Sequence, residues 1–301
     1  MTTTTEVLDG VDLGGKTILV TGGTTGIGRE TARAMGVAGA SVVITARSDD
    51  KGTATVAGLR EAVPSGEFSY LVLELGSLQS VRSFTERFLA AHGRLDVLIA
   101  NAGIMAVPFG HTEDGFELHF GTNHLGHFVL VGRLMPLLIA SAPARVVVLS
   151  SAGHRMSDVG WDDPNYERRE YSKMEAYGQS KTANILHAVE LERRHGSQGV
   201  HAYSVHPGLV ATELGRHFTP EDYAALRARA RAVSGSGLPP PVGVDVGAAT
   251  SVWAATVAAD ADGGAYLAEC AVAPAEPYAI DPDAARRLWT LSEDLVGEEL
   301  A

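Results

Sequence analysis

Cysteine occurs once in these 301 residues, at Cys270. A lone thiol excludes an intrachain disulfide and a cysteine-based metal centre, and it reads as a small buried apolar residue rather than a nucleophile. Positive charge is scarce as well: 24 Lys and Arg against 36 Asp and Glu leave a net charge of −12. Nucleic acid and anionic lipid both call for a basic surface, so the charge balance argues against either partner while leaving room for a local basic pocket around one phosphate. Long apolar runs are missing. No stretch reaches the roughly 20 residues of a membrane span; the nearest, 128–140, is interrupted by Arg133 and Pro136. The opening residues are polar and Thr-rich, with no basic region leading into an apolar one. They do not read as a secretory leader, and residues 1–13 are expected to be a flexible arm. A cytoplasmic protein without a membrane partner is the resulting expectation.

The chain is otherwise 45% hydrophobic and 20% charged, ordinary values for a globular protein with a sizeable core. Short β-branched runs at 16–21, 41–46, 68–75, 95–100, 145–151, 200–206 and 264–269 read as strands. Helical patterns fill 26–38, 50–62, 77–92, 113–139, 175–194, 246–258 and 282–295, with Ser77 placed to cap one of them. Such alternation predicts an α/β Rossmann fold: a single domain over 14–301, with a doubly wound parallel sheet of about seven strands and helices on both faces. No repeat or linker marks a second domain. The character changes over 209–245, where an Ala/Arg-rich helix at 224–232 precedes a Gly/Ser/Pro loop at 234–241. This excursion is expected to form a substrate lid.

The first strand runs into Thr21-Gly22-Gly23-Thr24-Thr25-Gly26-Ile27-Gly28, which opens a helix. Glycines let main chain approach a pyrophosphate, and a helix N-terminus offers free N–H groups and a positive dipole end. The gap from Gly22 to Gly26 is one residue wider than in the common dinucleotide fingerprint. The second strand ends at Ala46 and Arg47, where an acid would select NAD through its ribose hydroxyl. Arginine suits a 2′-phosphate instead. NADP(H) is therefore the expected cofactor and NAD(H) the alternative, with Asp49 and Asp50 as the opposing observation.

Tyr177 and Lys181 lie one helical turn apart, on one face of the helix expected at 175–194. An ammonium near a phenol favours the phenolate, which would fit Tyr177 to exchange a proton with an alcohol near neutral pH. His124 and His127 have metal-ligand spacing but no third ligand nearby in sequence, so no metal site is expected. His154, His187, His201 and His206 are likewise read as packed or surface residues.

In this order and spacing, the glycine loop, Asn101-Ala102-Gly103, Asn123, Ser151, Tyr177, Lys181 and Pro207-Gly208 with Thr212 resemble the short-chain dehydrogenase/reductase family. The similarity runs from about Gly14 to Leu300 and is strongest to the retinol dehydrogenase and WW-domain oxidoreductase branch. It implies a catalytic tetrad of Asn123, Ser151, Tyr177 and Lys181. It also implies cofactor contacts from Gly22, Thr24, Thr25, Gly26, Ile27, Gly28, Arg47, Glu74, Leu75, Asn101, Ala102, Gly103, Asn123, Tyr177, Lys181, Pro207, Gly208, Val210 and Thr212. Glu74 stands where the family usually has Asp, and the segment between Ser151 and Tyr177 is long, as in that branch.

The implied reaction is hydride transfer between NADP(H) and a lipophilic ketone, aldehyde or alcohol. Trp161, Tyr166 and Tyr171 of the long segment, with Leu209, Leu214, Phe218 and Tyr223 of the lid, are expected to line an apolar substrate site. The alternatives are an NADP(H)-binding sensor or scaffold without turnover, and an epimerase or dehydratase of the extended relatives. Some family members form a homodimer or homotetramer through helices corresponding to 113–139 and 175–194, while others in this branch are monomers.

Overall fold

A computed structural model describes residues 1–234 and 237–300. The expected loop at 234–241 falls partly on 235–236, and 14–301 ends on 301, so those positions lie outside the described residues. Eight strands form one sheet in the order β3-β2-β1-β4-β5-β6-β7-β8. They are β1 (Thr17–Val20), β2 (Ser41–Ala46), β3 (Glu67–Val72), β4 (Val97–Ala100), β5 (Ala144–Leu149), β6 (Val200–His206), β7 (Tyr266–Ala268) and β8 (Ala271–Val272). The first seven run parallel, and β8 returns antiparallel against β7. The sequence predicted seven strands; β8 escaped notice because two residues carry no periodicity.

Alternation within each strand sends side chains into two cores. Ile18, Val20, Val42, Ile44 and Val147 face one side, and Leu19, Val43, Val146 and Val148 the other. Both faces are covered, as a parallel sheet requires. On the first lie α2 (Gly26–Val37), α3 (Asp49–Ala62) and α8 (Val244–Thr256). On the second lie α4 (Leu78–Ala91), α5 (Gly126–Ala140), α6 (Lys173–His195) and α9 (Pro282–Val296). Chain direction across the sheet reverses between β1 and β4, so the crevice beyond their C-terminal ends is where a ligand binds in such a fold.

Three expectations are corrected here. Residues 1–13 are not a loose arm, because α1 (Thr4–Val7) carries a capping box at Thr3 and Glu6 and packs on α2 and α8. Its buried Thr4 hydroxyl donates to Glu30 at 2.7 Å.

The helix expected from 113 begins near Phe120. Gly115 takes φ 87° within a turn. The buried Glu117 carboxylate accepts the amides of His119 (3.0 Å) and Phe120 (2.8 Å), which caps the helix there. Its first turn, Phe120–Leu125, is π-helical and continues into α5.

Together these form a 21-residue helix, Phe120–Ala140, long and apolar enough by composition to cross a membrane, where the sequence suggested no such run. Most of it is buried inside the fold.

The chain's own C-terminal segment packs on part of α5 and α6. The Trp289 ring meets Phe128 at 4.9 Å and His187 at 5.9 Å, and Leu300 lies over Gly132.

The excursion after β6 is closed at its base by a bridge between Val210 and Val242, with Val242 N–H donating to the Leu209 carbonyl at 2.8 Å. Within it, a short 3-10 turn at Glu213–His217 leads into α7 (Pro220–Ser234).

Candidate active site

One cavity of about 1570 Å³ opens at the crevice between β1 and β4. Every catalytic and cofactor residue expected from the sequence lines it except Asn123, which is fully buried behind it.

One side is built of main chain. Gly22 adopts φ 66°, and a Cβ there would stand 3.0 Å from the Ala102 backbone. A Cβ on Gly28 would come within 2.4 Å of both the Asn101 amide nitrogen and the Gly22 carbonyl. Asn101 Nδ2 donates to the Thr21 carbonyl at 2.7 Å, and Thr45 Oγ1 accepts the Gly22 N–H at 3.0 Å. The loop is thus drawn against its neighbours with no side chain in front of it. Helices α3, α4, α6 and α9 are capped by Ser48, Ser77, Ser172 and Asp281, whereas Thr25 at the start of α2 makes no side-chain cap. That open helix end, cradled by glycines, fits a pyrophosphate group.

Arg47 and Lys51 line the cavity, while Asp49 and Asp50 do not. Both acids sit in the first turn of α3, where they favour the helix dipole, and Asp49 accepts the Tyr70 hydroxyl at 3.2 Å. Glu74 lines the wall with its carboxylate folded back onto Gly76 N–H at 3.1 Å.

At the floor, Ser151 follows β5 and starts a 3-10 turn, accepting the Gly153 N–H at 3.0 Å. The Tyr177 ring packs so closely on Gly153 that a Cβ there would lie 2.7 Å from Cε1. Lys181 Nζ lies 5.6 Å from the Tyr177 ring centre and donates to the Leu149 carbonyl at 3.0 Å. Burial pushes the Tyr177 phenol up to about 12, opposed by the Ser151 hydroxyl. The sequence pointed the other way, toward a phenol lowered by Lys181; here desolvation of the phenolate sets the direction, and the opposing contribution comes from Ser151. Burial also brings the Lys181 ammonium down to about 8.

Asn123 sits in the π-helical turn. Its Oδ1 accepts Ile104 N–H at 2.9 Å, and its Nδ2 donates to the Ile104 carbonyl and Ser180 Oγ, each at 3.0 Å. Gly103 lies against both Asn123 Oδ1 and Lys181 Nζ. Both Nδ2 hydrogens are used, so the Asn123 side chain has only its Oδ1, an acceptor, for further contacts.

The opposite wall is apolar. Leu209, Leu214, Phe218 and Tyr223 line it as expected, joined by Leu226 and by Met105, Met156 and Met174. Trp161, Tyr166 and Tyr171 do not. They build the interior of their own segment, where the Tyr171 hydroxyl reaches the Val107 carbonyl at 3.1 Å and Arg169 covers the Tyr166 ring at 3.6 Å. Cys270 is partly buried at the cavity edge, and that burial raises its thiol, opposed by the Thr250 hydroxyl. No metal-binding cluster occurs among the described residues. Two histidines read as mere packing in the sequence are tied to site residues. His127 Nδ1 lies 3.1 Å from the Asn123 carbonyl, and His154 Nδ1 lies 2.7 Å from the Ser151 carbonyl.

Residues 16–222 match the family model for short chain dehydrogenases. The chain belongs to the short-chain dehydrogenase family. Mouse retinol dehydrogenase 14 is 40% identical over 94% of this chain and 86% of its own length. Human WW domain-containing oxidoreductase is 37% identical over 99% of this chain and 72% of its own. Among solved structures, an uncharacterised protein from Mycobacterium paratuberculosis superposes with a TM-score of 0.78 at 32% identity, covering 97% of both chains. The NADP complex of Pseudomonas aeruginosa RhlG gives 0.66 at 25%, over 91% of this chain and 98% of that one. The fold, the oxidoreductase class and the retinol dehydrogenase-like branch expected from the motifs therefore stand.

Proposed function

We propose that this dehydrogenase interconverts a lipophilic ketone or aldehyde and its alcohol with NADP(H), using Tyr177 as the proton-transferring group. The reading is carried by one juxtaposition: a buried, protonated Tyr177 beside Ser151, where a glycine-lined wall meets an apolar wall in a single cavity.

Gly22 to Gly28 and the open N-terminus of α2 would hold the pyrophosphate, and Arg47 with Lys51 the 2′-phosphate. The bound dinucleotide supplies or accepts the hydride. Tyr177, kept as the phenol by burial, gives its proton to the carbonyl oxygen in reduction and recovers it in oxidation. Ser151 donates to the same oxygen and polarises it. Lys181 offsets the charge left on the phenolate. A water that reprotonates this pair through Lys181 would meet Asn123 only at an acceptor, since both Nδ2 hydrogens are used. The methionine and lid side chains accept an apolar body of variable outline, which suits the retinoids implied by the names of the relatives.

The test follows NADPH, and separately NADH, at 340 nm with all-trans-retinal and a panel of lipophilic ketones and aldehydes, and then with the corresponding alcohols. NADPH-dependent reduction of at least one lipophilic carbonyl, with weaker use of NADH, is expected. Equal use of NADH would overturn the cofactor assignment alone. Tight NADPH binding without turnover of any member would favour a sensor or scaffold.

A further inference from the structure

We propose that His127 and His154 are positioning residues for this site, each fixing one main-chain carbonyl of a tetrad residue through a proton on Nδ1. The proposal rests on the reading of Asn123 and Ser151 given above. A carbonyl only accepts, so the nitrogen facing it must carry the hydrogen. His127 Nδ1 faces the Asn123 carbonyl at 3.1 Å, and His154 Nδ1 faces that of Ser151 at 2.7 Å.

The far side of the His154 ring demands the complementary form. Glu276 N–H donates to His154 Nε2 at 3.2 Å, and a backbone N–H can do nothing else. The Thr21 hydroxyl lies 2.9 Å from His127 Nε2 while accepting Ala102 N–H at 3.0 Å. Both rings are fully buried, and burial lowers both from the ordinary histidine value, His127 to about 4. Both are therefore held neutral; His154 is held in one tautomer from both ends, whereas His127 is held through its Nδ1 contact, since the Thr21 hydroxyl can also turn its proton to the Ile99 carbonyl at 3.4 Å.

The two rings carry this order outward in different directions. His127 links the Asn123 carbonyl to Thr21 and Ala102 on the glycine-lined wall. Its hydrogen bond fixes the direction of that carbonyl. His154 gives both its Nδ1–H and, at 3.1 Å, its amide to the Ser151 carbonyl. Its own carbonyl accepts the Tyr278 hydroxyl at 2.8 Å, so the segment after β8 holds the turn that aims Ser151. Phenylalanine would fill either space but take the Nδ1–H away from each carbonyl and, at His154, leave the Glu276 N–H without its acceptor. Asparagine would restore the donor to the carbonyl.

The experiment labels histidine with ¹⁵N in the full chain and records long-range ¹H–¹⁵N correlations, assigned with His127→Asn and His154→Asn. Both rings are expected to carry hydrogen on Nδ1 with Nε2 bare. The Nε2–H form at either ring overturns the proposal for that residue. In parallel, kcat with NADPH and all-trans-retinal is compared with NADPH affinity measured by fluorescence. His127→Phe and His154→Phe are expected to lose about tenfold or more in kcat while NADPH affinity stays within about threefold, and the asparagine variants to recover most of the loss. Folded phenylalanine variants with unchanged kcat would overturn the proposal. If a phenylalanine variant fails to fold, Thr21→Val replaces His127→Phe: it must perturb the His127 nitrogen shifts, and their constancy refutes that arm. If no member of the carbonyl panel is turned over, or Tyr177→Phe remains active, the functional reading fails while the tautomers are still decided by the spectrum.

Discussion

Around Gly22 and Gly28 the cavity wall is main chain against main chain, whereas around Met156, Met174 and Leu214 it is made of side chains from segments far apart in sequence. The first wall tolerates nothing: an added methyl at Gly28 meets backbone 2.4 Å away. The second is built from thioethers and lid residues that can shift. A wall that binds an invariant pyrophosphate benefits from fixed geometry, and one that accepts an apolar body benefits from adaptable contacts. The two meet at Tyr177, which is packed on Gly153 from one segment and edge-on to the His119 ring at 6.0 Å.

The largest effect is expected at that seam. Tyr177→Phe removes the transferable proton without changing the ring, so kcat should fall by about 10²- to 10⁴-fold. NADPH affinity, measured by fluorescence, should stay near the wild-type value. Retention of full turnover would separate Tyr177 from the chemistry and leave the two walls as a binding site only.

Next comes a direct break of the rigid wall. Gly28→Ala puts a methyl group into the Asn101 amide and the Gly22 carbonyl, and neither can move without opening the loop. NADPH affinity is expected to drop by about 100-fold or more, or the thermal midpoint to fall by several degrees. Met156→Leu, an exchange of similar volume on the adaptable wall, should change kcat/KM for a given carbonyl by less than about tenfold. Comparable losses from the two substitutions would erase the distinction between the walls.

This contrast also explains what could be read from the chain beforehand. A glycine whose neighbours leave no room for a Cβ announces itself in sequence, and so do β2 and β6, whose bounds matched the β-branched runs at 41–46 and 200–206. The Tyr177 and Lys181 pairing is local to one helix and was equally legible. What stayed hidden depends on partners distant in sequence. Helix α5 and its π-helical start are set by Glu117 capping His119 and Phe120, and the Tyr171 hydroxyl lies 3.3 Å from the same carboxylate. No periodicity signals a cap built that way. Trp161, Tyr166 and Tyr171 looked like substrate lining because aromatic composition cannot say which way a ring faces. The direction of the Tyr177 shift was missed for a related reason. The spacing to Lys181 is visible in sequence, but the depth of burial is not.

Acid should probe what lies beneath the walls. Burial lowers His127 from 6.5 to about 4 and His124 to about 3, and His187 lies well below its ordinary value as well. For a group whose folded value is depressed, the stabilisation is fully present above the unfolded value. It is lost as pH falls from there toward the folded value, because only the unfolded chain takes up the proton. Urea midpoints are therefore expected to hold above pH 6.5 and to decline steadily from there toward about 4. The lid's own His217 is exposed, so the decline should begin in the packed body and not in α7. A midpoint flat down to pH 4.5 would mean that these histidines are solvated in solution.

The smallest effect belongs to the lid itself. Helix α7 is joined to the start of α6 by an ion pair between Lys173 Nζ and Asp222 Oδ2 at 2.5 Å. Asp222 also caps the helix, accepting Thr219 N–H at 2.8 Å. Lys173 is partly exposed, so the pair is screened by solvent and contributes on the order of 1 kcal/mol or less. Lys173→Met removes the ion pair and spares the cap. Its loss is expected to loosen α7 over Phe218 and Tyr223, raising KM for a lipophilic carbonyl by less than about fivefold and leaving kcat and NADPH affinity unchanged. Raising the salt concentration should erase most of that difference, since the wild-type pair weakens as the variant stays as it was. A large fall in kcat from Lys173→Met would show that α7 orders the Tyr177 side of the cavity, and the adaptable wall would then be as exacting as the glycine-lined one.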